Sequence, residues 1–248
     1  MIIKTFEKFS QAQFEPIKSF TLKDNLSPEF WEDDKLKSDI KKELLQLGND
    51  YFEQLDLKSV KLEDIIFTGS LANYNWSNYS DIDLHLVFDF SEVNEDIELV
   101  RKYLDAVEKF WKLQHDIEIN GYDVEIYCQD ANQTHHSTGI YSLQEDKWLR
   151  KPTKEDFVPD EDSIKKKASI YMKSIQELEK DVESNKPYKK IESKMKKVWK
   201  KIKDGRQAGL DREGEFSVEN LVFKLLRRNG YIDKFMKLKA KSYDKQYK

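Results

Sequence analysis

Two aspartates that alternate with aliphatic residues, Asp81-Ile-Asp83-Leu, most constrain what this chain can fold into. Side chains of a strand alternate between its two faces, so Asp81 and Asp83 share one face while the aliphatic residues enter a core. Like charges held this close repel, and one carboxyl would take up a proton unless a cation shared the site. Oxygen ligands of this kind suit Mg²⁺ or Mn²⁺, which also bind substrate phosphates. The alternation therefore predicts a strand that carries a divalent-metal site.

A Gly-Ser pair precedes these aspartates by ten residues and follows the apolar run Ile65 to Phe67. Gly69 can adopt a positive φ and lets the backbone approach a ligand closely, and Ser70 adds a hydroxyl donor. A helix that starts just after this pair would direct free N–H groups at a phosphate. The two segments together predict a phosphate-binding turn that faces a metal site.

The whole stretch resembles the signature of the DNA polymerase β-like nucleotidyltransferase superfamily. A hydrophobic strand is followed by Gly69-Ser70, a spacer that ends at Ser80, and then Asp81 and Asp83 on the next strand. The resemblance covers roughly residues 60 to 130, and the spacer lacks the Arg that is common in the family. It implies two metal ions, a third carboxylate on a later strand, and transfer of a nucleotidyl group from a nucleoside triphosphate (NTP). It also implies that Gly69, Ser70 and Ser80 contact that substrate.

The third carboxylate is expected after Asn120-Gly121, a pair typical of a tight hairpin turn because both residues tolerate positive φ. Asp123 and Glu125 then share one face of the second strand. The resemblance favours Glu125, which lies inside a hydrophobic strand, over Asp123 beside the turn, and both stay candidates. This residue would complete the metal site and could accept the proton of an attacking hydroxyl.

Three histidines are secondary candidates. His85 falls on the face of Asp81 and Asp83, where it either supports the metal ligands or is simply half-buried. His135 and His136 lie in a polar segment without a nearby Cys to complete a zinc set, so we predict loop residues. Contact of one of them with substrate is the alternative.

Composition limits the class of protein. Charged residues make up 36% of the 248 residues and apolar residues 38%, which is typical of a folded, soluble chain. No apolar run approaches the roughly 18 residues that span a bilayer, and the N-terminus lacks the apolar region of a signal peptide. A single cysteine, Cys128, excludes an internal disulfide. These features predict a cytoplasmic protein without membrane partners.

Charge divides the chain. Residues 1–150 carry 16 Lys and Arg against 30 Asp and Glu, and residues 151–248 carry 27 against 17. We predict a catalytic domain over 1–150, a charged linker over 151–160 and a basic helical domain over 161–248. Basic helices suit a phosphate-rich partner such as RNA, although a solvated helix surface has the same composition.

Three further segments carry specific expectations. Ser27 and Pro28 predict the start of a helix whose apolar face runs to Tyr51. The lysines of the densest basic cluster are predicted on the exposed side of one helix; the cluster consists of Lys194, Lys196, Lys197, Lys200, Lys201, Lys203 and Arg206. Residues 205–214 contain three glycines and two arginines, which predicts a loop able to fold over a phosphate.

The sequence thus predicts an α/β (α+β) fold, with a small mixed-sheet nucleotidyltransferase core and an all-helical C-terminal domain. Its expected activity is Mg²⁺- or Mn²⁺-dependent transfer of a nucleoside monophosphate from an NTP to an acceptor hydroxyl, on an RNA end or a protein. The alternatives are a synthase of nucleotide second messengers and a catalytically silent relative that binds RNA or protein.

Overall fold

The computed structural model describes residues 11–135, 137–154, 156–184 and 186–247. The chain divides into two compact units, of which the first, Leu22–Asp156, contains the sheet. The second begins at Phe157 and also includes residues 11–21. This division differs from the one expected from the sequence, because Ile17 and Phe20 are buried in the hydrophobic core of the helical unit.

The first unit is α/β within the part of the chain that is described. Its elements are β1 (Trp31–Glu32), β2 (Lys35–Leu36), α1 (Ser38–Gln54), β3 (Asp64–Thr68), β4 (Ile82–Phe88), α2 (Ile97–Gln114), β5 (Glu118–Ile119), β6 (Tyr122–Asp130), β7 (Ile140–Ser142) and β8 (Lys147–Arg150). The helices of the second unit are α3 (Glu161–Glu183), α4 (Tyr188–Glu213), α5 (Val218–Arg228) and α6 (Tyr231–Asp244). Short 3₁₀ helices cover Gln11–Phe20, Ser70–Ala72, Phe90–Glu92, Gly214–Phe216 and Lys245–Tyr247.

Six strands form one mixed sheet in the order β5-β6-β4-β3-β7-β8. β4 and β6 are parallel, and the other neighbouring pairs are antiparallel. The predicted mixed sheet followed by C-terminal helices is therefore confirmed, whereas the nucleotidyltransferase core remains a prediction.

The central strand β4 has one apolar and one polar face. Ile82, Leu84, Leu86 and Phe88 are fully buried, and the residues between them are half-buried. The buried face belongs to a hydrophobic core that it shares with residues of α1 and α2. This alternation is what the sequence predicted around Asp81 and Asp83, and it leaves the aspartate face outside the core.

The first helix begins later than predicted. Ser27 is followed by a turn in which its carbonyl oxygen accepts hydrogen bonds from Phe30 and Trp31, and α1 starts only at Ser38. Between them, Asp33 and Asp34 adopt φ values of 47° and 64° and connect β1 to β2. Two successive positive φ values are the requirement of a tight hairpin turn, which this Asp pair satisfies. The predicted helix start at Ser27 is therefore wrong.

The predicted Asn120-Gly121 turn agrees with the structure, and specific cap residues define the helix ends. Asn120 and Gly121 have φ values of 53° and 77° and join β5 to β6. Asp96 caps α2 through a 3.1 Å hydrogen bond from the backbone N–H of Leu99. Ser217 caps α5, and Gly230 adopts the left-handed conformation after it. The hairpin is therefore where the sequence predicted it, and the cap residues fix the helix ends because the required backbone conformation is specific to few residue types.

The predicted Gly-rich loop over residues 205–214 is instead the last part of α4, which ends at Glu213 and has Gly214 as its C-cap. A Cβ at Gly209 would lie 2.7 Å from Ser217 Oγ and 2.9 Å from Glu219 Cβ. Gly209 therefore permits α4 to pack closely against the start of α5. This close approach explains a glycine in the interior of a helix, where it is otherwise unfavourable.

Substitution of alanine for either of two glycines in α4 should have opposite effects on the free energy of unfolding. We expect Gly209→Ala to lower the free energy of unfolding by about 1–3 kcal/mol, because its methyl group would overlap the start of α5. The matched control is Gly205→Ala, whose Cβ would have its nearest neighbours at 3.9 and 4.0 Å. That change should raise stability by about 0.5–1 kcal/mol through helix propensity. Urea unfolding of both variants measures the difference, and equal effects would contradict the proposed packing.

Candidate functional site

The polar face of the sheet gathers the predicted acidic residues by strand register. Asp83 of β4 is paired with Thr68 of β3 on one side and with Glu125 of β6 on the other. Aligned residues of neighbouring strands point to the same face, and the strands lie about 4.8 Å apart. Asp81 immediately precedes β4 and is half-buried. The structure therefore brings Asp83 and Glu125 onto adjacent positions of one face.

Gly69 makes room for the Asp83 carboxylate. It has φ 77° and ψ −161°, a backbone conformation that favours glycine. A Cβ at this position would overlap Asp83 Oδ2. Asp83 therefore directs its carboxylate over the end of β3, and the glycine is required by this close approach. The sequence predicted a close approach at Gly69 but assigned it to a ligand.

The serines close the turn around this glycine. Ser70 Oγ donates a 2.8 Å hydrogen bond to Ser80 Oγ, which also accepts a 3.0 Å bond from the backbone N–H of Ser77. Ser80 is buried and Ser70 half-buried. Ser70–Ala72 form one short 3₁₀ turn where the sequence predicted the start of a longer helix. The backbone N–H groups that could face a phosphate are therefore those of this turn. The Ser70–Ser80 bond ties the Gly69 turn to the residue before Asp81.

Glu125 is held by two side chains. Lys112 of α2 forms an ion pair and hydrogen bond with its Oε1, and the Tyr127 hydroxyl donates to its Oε2. The Glu125 side chain is 17% exposed. Burial and the adjacent Glu125 raise the pKa of Tyr127 well above its usual range, so the phenol stays protonated and donates. The negative charge of Glu125 is thus balanced by a cation supplied by the chain itself.

The described residues contain no group of three or more His, Cys, Asp and Glu side chains gathered to hold a metal ion. The acidic residues are nevertheless oxygen donors of the kind that Mg²⁺ and Mn²⁺ prefer. Asp83 lies over Gly69, while Glu125 is engaged by Lys112 on the other side of β4. The donor set and its shared face fit a divalent cation, and binding would require Glu125 to exchange Lys112 for the ion.

Asp123, the other candidate for the third acid, occupies a different environment. It is exposed and paired with Glu118 of β5 beside the hairpin turn. Asp123 lies one residue before Val124, which is paired with Ile82 of β4. Only Glu125 is therefore in register with Asp83.

Two histidines lie beyond the acidic residues on the polar face of the sheet. His85 of β4 is paired with Tyr127 of β6, and their ring centroids lie 4.9 Å apart. His135 follows β6, lies 4.9 Å from the ring of His85, and accepts a 3.0 Å hydrogen bond at Nδ1 from the backbone N–H of Ser137. Burial lowers the pKa of His85 to about 3, with His135 contributing to the shift. His136 lies outside the described residues.

Glu108 of α2 is a titratable residue that the sequence did not single out. Burial raises its pKa to about 7, and the negative charges of Asp105 and Glu125 act in the same direction. Lys109 and Lys112 oppose the shift. The helical pattern alone could not identify it, because its environment depends on the packing of α2 beside β6.

The basic cluster of α4 is partly neutralised within its own unit. Its ion pairs include Lys194–Asp181 at 2.9 Å, Lys196–Glu192 at 2.7 Å and Lys200–Asp204 at 2.6 Å. Arg206 donates from Nε to Asn220 Oδ1 at 3.0 Å and lies 4.2 Å from the centroid of the Phe223 ring. These contacts are those of a helix with a charged, solvent-exposed surface, and contact with RNA remains a prediction.

Comparison with known proteins does not assign a function, so we infer one from the geometry of the site. No protein-family model, curated protein or solved structure matches the chain. Within the described part of the chain, no helix has both the length and the apolar character needed to cross a membrane.

The raised pKa of Glu108 predicts a pH dependence of stability. Between pH 4.5 and 7 the folded state holds a proton that the unfolded chain releases, so the free energy of unfolding falls as pH rises. We expect a loss of about 1–2 kcal/mol between pH 4.5 and 8 relative to Glu108→Gln, a value reduced for partial exposure of the carboxyl. Urea unfolding at several pH values measures this difference. A pH dependence unchanged by the substitution would contradict the assignment.

Proposed function

We propose that this protein is a metal-dependent nucleotidyltransferase that moves a nucleoside monophosphate from an NTP to an acceptor hydroxyl. The observation that carries the proposal is the alignment of Asp83 with Glu125, with the Asp83 carboxylate seated over Gly69. A solvated strand face requires no glycine at that point and no paired acid on the next strand. The arrangement instead supports a built site for cations and phosphate.

Each residue has a role in this proposal. Asp81, Asp83 and Glu125 would hold Mg²⁺ or Mn²⁺, which when bound supplies charge stabilisation for the transferred phosphoryl group. The turn of Gly69 and Ser70 would bind the other phosphates of the NTP, with Ser80 fixing the hydroxyl of Ser70 through their hydrogen bond.

The acceptor hydroxyl would belong to an RNA end or a protein. The excess of Lys and Arg in residues 151–248 supports a phosphate-rich acceptor, since such a surface attracts polyanions. The ion pairs within α4 weaken this support, because they balance part of the positive charge.

A catalytically silent relative that binds RNA or protein is the second candidate, and one observation favours it. Lys112 and Tyr127 already engage both oxygens of Glu125. A lysine can replace the charge of a metal ion in a site that has lost its activity. In that case Asp81 and Asp83 would matter little for binding of a partner.

Transfer of label from α-³²P-labelled NTPs tests the proposal. The protein is incubated with each NTP and Mg²⁺ or Mn²⁺, with and without total RNA, beside Asp81→Asn/Asp83→Asn. We expect label in RNA, protein or a small product, and at least a hundredfold less in the variant, on the scale of one lost electrostatic contact in a transition state. A parent protein that transfers no label while it binds RNA, with an affinity that the variant retains, would instead support the silent relative.

A further inference from the structure

A groove of about 400 Å³ lies in the helical unit, between the first half of α4 and α6. This volume is within the range of sites that bind small organic groups. The residues that matter among those lining the groove are Tyr188, Lys196 and Trp199 of α4 and Met236, Lys239 and Tyr243 of α6. The three residues of α6 recur at spacings of three and four, so they share one face of that helix. None of the six has a role in the chemistry proposed for the acidic face of the sheet.

Aromatic rings line both helices of the groove. The rings of Trp199 and Phe235 are stacked, with centroids 5.3 Å apart and an angle of 16° between their planes. The rings of Tyr188 and Tyr243 meet edge to face, with centroids 6.1 Å apart. Tyr243 is 52% exposed and Trp199 is half-buried. Accessible rings of this kind stack on nucleobases, since every base offers a π face irrespective of its identity.

The two helices also carry a large excess of positive charge. Residues 188–203 of α4 contain eight Lys and one Glu, and α6 contains four Lys and two Asp. Four of these twelve lysines form an ion pair with an acidic side chain in the part of the chain that is described; they are Lys194, Lys196, Lys200 and Lys234. The charge of the other eight is therefore available to a polyanion.

Lys239 places one of these available charges at the groove itself. It lies one helical turn before Tyr243, so its ammonium group and the tyrosine ring belong to the same face of α6. The acid of α4 that lines the groove, Glu192, is balanced by Lys196 at 2.7 Å. A strand whose base entered the groove would therefore have its backbone beside a rim rich in lysine.

The combination of accessible rings and lysines without acidic partners favours a single-stranded nucleic acid over other polyanions. A duplex keeps its bases stacked inside the helix and presents phosphates to a surface of this kind. A run of acidic side chains or an anionic membrane offers charge but no base to stack. Only an unpaired strand uses both features of the groove.

We propose that the groove between α4 and α6 binds an unpaired nucleotide of single-stranded RNA. The base would stack on Tyr243 and Trp199, and the flanking phosphates would contact Lys239 and the other lysines that lack acidic partners. That this RNA is the acceptor of nucleotidyl transfer rests on the proposed function, whereas binding of RNA does not.

Binding of a fluorescein-labelled oligouridylate of about 12 nucleotides, measured by fluorescence anisotropy in EDTA without NTP, tests this proposal. The comparison ligand is a strand of equal length and charge whose sugars carry no bases. We expect the parent protein to bind the oligouridylate about fivefold or more tightly than the strand without bases, the effect of one stacked base. Equal affinities would overturn the proposal, because charge alone would then account for binding, and so would a parent protein that binds neither strand.

Tyr243→Ser removes a ring of the groove, and Tyr103→Ser is its matched control. Tyr103 lies on α2 in the other unit and is 48% exposed, close to the value for Tyr243. We expect Tyr243→Ser to weaken binding of oligouridylate about fivefold or more and to leave the affinity for the strand without bases unchanged. The control should change neither affinity. Thermal unfolding of each variant confirms that it is folded, and an unchanged affinity for oligouridylate in folded Tyr243→Ser would overturn the proposal.

The two proposals fail in distinguishable ways. A preference for oligouridylate that depends on Tyr243, in a protein that transfers no label, supports the groove and contradicts the transferase. Transfer of label by a protein whose affinity for RNA ignores Tyr243→Ser supports the transferase and contradicts the groove.

Discussion

The parallel pairing of β4 with β6 is the constraint on which the candidate site depends. Its register places Glu125 beside Asp83, although the two residues are far apart in sequence, and it places Tyr127 beside His85. Burial of the aliphatic face of β4 fixes this register, because a slip by one residue would turn the aspartates into the core. Hydrophobic burial on one face therefore fixes the charges on the other.

Charge balance is the second physical theme. Acidic residues on adjacent strands repel each other. Lys112 balances the charge of Glu125, and the absence of a side chain at Gly69 leaves room for the Asp83 carboxylate. Removal of a buried charge partner costs more than the pair contributes, since the remaining charge is desolvated. A divalent ion would therefore have to replace the Lys112 contact at Glu125 rather than add to it. The same competition distinguishes an active enzyme from a silent relative.

The elements that sequence predicts are those with a local physical signature. Alternation identified the strand around Asp83, and Asn120-Gly121 identified a hairpin, because period and positive φ can be read from neighbouring residues. The predicted helix start at Ser27 was wrong because a hairpin with the Asp33-Asp34 turn lies between Ser27 and α1. Gly209 was assigned to a loop because its neighbour, the start of α5, becomes visible only in three dimensions.

The candidate site shows the same limit. The shared face of Asp81, Asp83 and His85 follows from period 2, and the choice of Glu125 followed from a hydrophobic strand. The Lys112 ion pair and the raised pKa of Glu108 depend on how α2 packs beside β6. No spacing along the chain encodes them. Function at this site is therefore decided by tertiary contacts that the motif does not contain.

Anomalous diffraction from crystals soaked with Mn²⁺ and a non-hydrolysable ATP analogue tests the central claim most directly. The account predicts an anomalous peak within about 2.5 Å of oxygens of Asp81 and Asp83, with Glu125 released from Lys112. Crystals in which the analogue is bound, the Lys112–Glu125 pair is intact and no peak lies on this face would contradict it.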